Sequence, residues 1–157
     1  MAFRPIFFDT ETTGTYPHKD KIVEIAAYDP VRKKSFERLI NPGISISKEV
    51  IAIHKITDEM VKDAPSFKQV ALEFLDFCDG DIALVAHNLD AFDLPFIQAE
   101  LKRCELQLPS SWLFIDTLKW ARRYRPDLPR HALQYLRQIY SIEENQAHRA
   151  MNDVVVL

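Results

Sequence analysis

The chain has 157 residues, 47% of them apolar, which fits one domain with a substantial buried core. A formal charge of -3 excludes a broadly basic surface, so a nucleic-acid partner has to be held locally or through bound cations. No uncharged apolar run approaches the ~18 residues needed to cross a bilayer. No export signal opens the chain, and Cys78 and Cys104 form no C-x-x-C pair, so the expectation is a soluble cytoplasmic protein with reduced, buried thiols and no membrane partner.

Three β-like runs come first, at Pro5 to Phe8, Ile22 to Tyr28 and Ser35 to Ile40, separated by turn residues such as Gly14, Pro17 and Asp29-Pro30. Spacing this short predicts an antiparallel meander. After Asn41-Pro42-Gly43, Ser47 is placed to cap a short helix over Lys48 to His54. Ser66-Phe67-Lys68-Gln69 has capping-box form and opens a helix whose stripe is Phe67, Val70, Ala71, Phe74, Leu75 and Cys78. Gly80 ends it. Ile82 to Ala86 then reads as a strand buried on both faces.

From Phe92 the pattern is helical again, with Pro95 tolerable in the first turn. Trp112 to Ile115 is a further strand, and Asp116 is placed to cap a helix reaching about Tyr124. Leu133, Leu136, Ile139 and Tyr140 mark the next amphipathic helix, and Ala147 to Leu157 begins a last one that the chain end cuts short. The order implies a mixed α/β sheet with helices on both sides, in which sites gather at strand ends. Asp9, His87 and Asp116 each fall at the carboxyl end of a predicted strand.

Three segments carry chemistry. In Asp9-Thr10-Glu11 an extended backbone projects the two acids from one face and turns Thr10 away. Parallel carboxylates repel, and a hard divalent ion is their natural neutraliser. The second segment runs from His87-Asn88 to Asp93, between a buried strand and a helix. The third is His148 to Asp153. Five residues of regular helix turn through roughly 500°, leaving these two side chains roughly 140° apart. With His148 just before the helix and Asp153 inside it, both reach one rim, one as proton acceptor and the other as ligand. Taken singly, the segments also read as a solvated strand end, a polar loop with Asp93 as N-cap, and a surface helix start. Together they supply four carboxylates and a base, the equipment of two-metal phosphodiester hydrolysis.

D-T-E-T-T-G, H-N-x-x-x-F-D and H-x-x-x-x-D resemble the three motifs of the DnaQ-like DEDDh 3′-to-5′ exonucleases, the superfamily of the DNA polymerase III epsilon subunit. Ile53-His54-Lys55-Ile56-Thr57, with Ala64-Pro65 beyond it, is similar to the family's I-H-G-I-T segment. The resemblance implies a ribonuclease-H-like fold, with a three-strand antiparallel meander plus parallel strands, as one exonuclease domain over residues 1–157. It implies that Asp9, Glu11, Asp93 and Asp153 hold two Mg2+ or Mn2+ ions, with Glu11 and His148 catalytic and His148 the general base. Thr12, His54, His87, Asn88 and Phe92 would bind substrate. The activity implied is release of nucleoside monophosphates from single-stranded or frayed DNA 3′ ends, in proofreading or repair, with a DNA polymerase subunit as partner. An RNA 3′ end and a non-catalytic nucleic-acid or polymerase-binding module are the alternatives.

Three departures from the family pattern stand out. Lys55 replaces a glycine. His87 to Asp93 is one residue longer than the epsilon-type spacing and resembles the TREX-like branch, which makes Asp90 a rival of Asp93; Phe92-Asp93 leads directly into the apolar helical pattern and favours Asp93. The chain stops four residues after Asp153, where a longer helix is expected. Arg122, Arg123, Arg125, Arg130 and His131 form one basic patch suited to phosphate contact, and the patterns around Phe92 and Trp112 favour core packing over base stacking.

Overall fold

The strand β1 (Arg4–Thr12) is the middle of a five-stranded sheet of order β3-β2-β1-β4-β5. In the computed structural model, which describes residues 3–142 and 149–157, β2 (Ile22–Asp29) and β3 (Lys34–Leu39) continue from β1 as an antiparallel meander. On the other side β4 (Ile82–Ala86) runs parallel to β1, and β5 (Leu113–Asp116) parallel to β4. The apolar residues of β1 alone predict an end at Phe8. The strand instead runs on to Thr12, because Asp9, Thr10 and Glu11 stay in register with Ala26, Ile25 and Glu24 of β2. The two acids therefore stand on a rigid ladder, and a register shift between Glu11 and Thr12 follows them.

Alternation along β1 sorts side chains to opposite faces. Ile6 and Phe8, with Ile25 and Ala27 of β2, share a core with α3 (Phe67–Phe77) and α4 (Asp93–Arg103). On the other face Phe7 and Ala26 pack with Ala150, Met151 and Val154 of α7 (Ala150–Val156). Helices thus cover both faces, as the element order implies. Asp9 and Glu11 follow Phe7 towards α7, while Thr10 follows Phe8 towards α4.

Local signals explain most helix boundaries. Ser47 caps α1 (Lys48–His54) by accepting from the Val50 N–H, and Ser66 and Gln69 close the capping box of α3. A short helix unforeseen from the sequence, α2 (Asp58–Val61), is capped by Thr57. Asp116 caps α5 (Thr117–Tyr124), accepting from the Leu118 N–H at 2.9 Å. Phe92, not Asp93, is the N-cap residue of α4, so Asp93 is the first helical residue and its carboxylate is turned to other work. Trp112 precedes β5 rather than opening it and is buried in the main core. Next come α6 (Leu133–Ile139) and then α7, described from Ala150; Ala147 lies outside the described residues.

Both cysteines are free. Burial pushes the Cys78 thiol up to about 12, whereas Cys104 is only half-buried, contrary to the expectation of two buried thiols. Among the described residues no helix is long and apolar enough to cross a membrane.

Candidate functional site

One oxygen each from Asp9, Glu11 and Asp153 lies within 4.8 Å of the others. β1 supplies the first two, and α7 carries the third across the sheet face. A second ladder position explains where α7 sits. Glu24, paired with Glu11 in the β1–β2 register, is completely buried between the apolar residues Val23 and Ile25. Its carboxylate accepts from Arg149 Nη2 at 2.7 Å and from the Ala150 N–H at 3.0 Å, which pins the start of the helix. From α6, Gln134 Nε2 donates to Asp153 Oδ1 at 2.7 Å.

Asp93 arrives from the opposite face of the sheet. One of its oxygens accepts from both the N–H and the hydroxyl of Thr10, at 3.1 and 2.7 Å. Asp93 is not one of the tight set of three, but it lines the same cavity of about 360 Å³. Thr12, His54, His87, Asn88 and Phe92 line it too, so nine sequence-selected side chains meet there. His148 lies outside the described residues.

Asp90 is elsewhere. Its exposed carboxylate pairs with Lys119, while its backbone N–H is held by Asp116 Oδ2 at 3.2 Å. Of the two rivals, Asp93 is the one that faces the other acids.

The acids of the cavity are buried together and repel one another. Burial, then the charges of Asp93, Glu11 and Asp153, hold the Asp9 carboxyl well above its ordinary range. Burial with repulsion from Asp153, Glu24 and Asp93 pushes Glu11 up to about 8, against a lowering by Arg149. Burial pushes Asp93 up to about 7, although the Thr10 bonds favour its charged form. Several hard oxygens in so small a space, unable all to ionise unaided, fit a divalent cation bound through carboxylates.

The polar surround is ordered by specific bonds. His54 Nδ1 accepts from the Ile56 N–H at 2.9 Å, so the proton sits on Nε2, 3.3 Å from the Thr12 carbonyl oxygen. His87 lines the cavity, yet its Nε2 donates to the His131 carbonyl at 2.8 Å and its Nδ1 accepts from the Thr117 hydroxyl at 3.0 Å. Burial lowers its pKa, in keeping with a neutral ring. Asn88 adopts φ 66, and its N–H donates to Asp116 Oδ1 at 3.0 Å. Asp116 thereby clamps the β4–α4 loop while capping α5. Phe92 packs on Phe96 with ring centroids 5.0 Å apart. In the basic patch Arg122, Arg123 and Arg130 are exposed, whereas Arg125 is engaged by Asp127 at 2.9 Å.

Glu24, Arg149, Gln134 and the inward-facing Thr10 belong to this site without carrying a motif of their own. Only Glu24 left a signal, as a single acid inside the apolar run of β2.

The sequence pattern of the exonuclease family (RNase_T) matches residues 6–157. The chain belongs to the DnaQ-like DEDD 3′-to-5′ exonuclease family. Members of this family depend on divalent metal ions, in agreement with the carboxylate cluster. The chain is 38% identical over 151 residues to the PolC-type DNA polymerase III of Staphylococcus epidermidis, covering 94% of this chain and 10% of that protein. The Staphylococcus aureus PolC-type polymerase matches with the same identity and coverage. The chain thus spans about a tenth of the length of these relatives.

Among solved structures, a zinc-bound E. coli exonuclease I–single-stranded DNA complex superposes with a TM-score of 0.87 at 20% identity, covering 99% of this chain and 39% of that one. Exonuclease X in complex with 5′ overhanging duplex DNA gives a TM-score of 0.72 at 29% identity, covering 97% and 85%. The mixed five-stranded sheet is the ribonuclease-H-like fold of this family.

Proposed function

We propose that this domain removes nucleoside monophosphates one at a time from single-stranded or frayed DNA 3′ ends, with two Mg2+ or Mn2+ ions held by Asp9, Glu11, Asp93 and Asp153. The observation that carries this reading is the convergence of Asp9, Glu11 and Asp153 to within 4.8 Å, with Asp93 in the same cavity. Bound divalent ions supply a water of lowered pKa and charge stabilisation of the phosphoryl oxygens.

The chain's own residues do the rest. His148 is the proposed general base; an ordinary imidazole pKa of about 6.5 suits proton transfer near neutrality. Thr12 and His54 form one wall of the cavity, where the terminal nucleotide would be seated. Phe92 presents a half-buried apolar surface to the same cavity, its N–H bonded to the Asn88 carbonyl at 3.1 Å. His87, with both ring nitrogens engaged, contributes by holding the loop before Asn88 rather than by hydrogen bonding to substrate. Exposed Arg122 and Arg123 offer phosphate contacts for the upstream strand.

DNA is favoured over RNA because the matched relatives are DNA polymerases and the superposed neighbours are complexes with DNA. The same relatives support a proofreading role beside a DNA polymerase. The test is digestion of matched DNA and RNA oligonucleotides with Mg2+. The reading expects faster shortening of DNA; faster shortening of RNA would reassign the substrate. Degradation of neither, with divalent ions bound, would make the domain a binding module.

A further inference from the structure

Asp153 is oriented by a side chain that the proposed reaction does not itself use. Gln134 Nε2 donates to Asp153 Oδ1 at 2.7 Å, while Gln134 Oε1 accepts from Arg137 Nε at 2.8 Å. Arg137 is buried, and its Nη1 donates to the Ile142 carbonyl at 3.2 Å, which fixes the guanidinium. A guanidinium has only donors and an ionised carboxylate only acceptors. Reversing the amide would set donor against donor at Arg137 and acceptor against acceptor at Asp153. Arg137 therefore dictates which end of Gln134 meets the carboxylate.

We propose that Gln134 is a positioning residue for Asp153, that Arg137 acts through it, and that this relay sets the divalent-ion affinity of the site. The inference rests on Asp153 being a ligand, as argued under the proposed function. Its physical logic lies in charge. A guanidinium placed directly on Asp153 would compete with a metal ion for the carboxylate, whereas an interposed amide transmits the orientation while remaining neutral. The two anchors divide the work: Glu24, through Arg149 and the Ala150 N–H, fixes where α7 begins, and Gln134 fixes where the Asp153 carboxylate points.

The test is titration of the intact chain with Mn2+ alone, followed by electron paramagnetic resonance, alongside thermal melting. Outer partners of ligating carboxylates typically change metal affinity by about 10- to 100-fold when lost. Gln134→Met and Arg137→Met are each expected to weaken Mn2+ binding in that range. The double variant should bind no more weakly than Gln134→Met, because both substitutions interrupt one relay. Gln134→Asn, one methylene too short to span both partners, should show the same loss should the methionine variant not fold. Unchanged Mn2+ affinity in a folded Gln134 variant overturns the proposal, as does an additive loss in the double variant. Asp153→Asn separates the levels: should it bind Mn2+ like the wild type, the ligand assignment itself fails.

Discussion

Thr10 donates both its backbone N–H and its hydroxyl to one carboxylate oxygen of Asp93, at 3.1 and 2.7 Å, so a residue turned away from Asp9 and Glu11 holds the acid that joins them from the other face of the sheet. These bonds favour the charged form of Asp93 against the burial that pushes it up to about 7. Thr10→Val removes the hydroxyl and keeps the shape. It is expected to raise the Asp93 pKa further and to move the acid limb of hydrolysis at subsaturating Mg2+ towards alkaline pH. A loss of roughly 10-fold or more in turnover at neutral pH is expected. Thr10→Ser should restore the profile, and an unmoved acid limb in Thr10→Val would count against the role.

The metal-free domain should lose stability as pH rises. Asp9, Glu11 and Asp93 all bind protons more tightly in the folded chain than their ordinary values of 3.8 for Asp and 4.5 for Glu allow. The folded state therefore holds more protons than the unfolded one, and the linked stability is complete at low pH and lost as pH climbs through about 7 for Asp93 and about 8 for Glu11. Melting temperature in chelator should fall between about pH 5 and about pH 8.5, at roughly 2–4 °C per kcal/mol for a domain of this size. Saturating Mg2+ should remove most of the fall, and Asp93→Asn should flatten it. A melting temperature in chelator that climbs over this interval contradicts the electrostatics.

Lys55 ends α1 with φ 64, in the left-handed region where a non-glycine residue costs about 1–2 kcal/mol. That geometry explains why the related family segment carries glycine there. Lys55→Gly relieves the strain at some cost in unfolded-chain entropy, for an expected net stabilisation of roughly 0.5–1 kcal/mol. Lys55→Val should destabilise. Urea midpoints of the two variants check the sign, and a destabilised glycine variant would contradict the strain.

The two thiols should differ in reactivity. Cys78 is fully buried with its thiol pushed up to about 12, whereas Cys104 is half-buried at the C-terminal end of α4. Thiolate is the reactive form. Mass spectrometry after brief iodoacetamide treatment of the native protein should find the label on Cys104 and not on Cys78. Prompt labelling of Cys78 would mean that α3 opens more readily than its packing implies.

Elements with local causes were legible in the sequence. Lys48–His54 follows from the Ser47 cap, α3 from its capping box, and Ile82–Ala86 from five consecutive buried apolar residues. The carboxylates of the site were legible because D-x-E in an extended chain and acids beside strand ends carry their geometry with them. Features set by distant partners were not. β1 outruns its apolar residues because β2 pairs with Asp9 to Glu11. Glu24 meets Arg149 across 125 positions, and Gln134 sits at an ordinary polar position of an amphipathic helix until α7 is laid beside it. Asp93 reads as a cap because Asp favours caps, yet the backbone places Phe92 there and frees the carboxylate for Thr10.

If the converged acids hold the divalent ions that drive hydrolysis from the 3′ end, Asp9 is indispensable to it. The most direct test is digestion of a 5′-end-labelled single-stranded DNA oligonucleotide in Mg2+ by wild type and Asp9→Ala. The wild type should give a ladder shortening one nucleotide at a time, abolished by chelator and absent in Asp9→Ala. A wild-type ladder in Asp9→Ala, or release of the label as the first product, would contradict this.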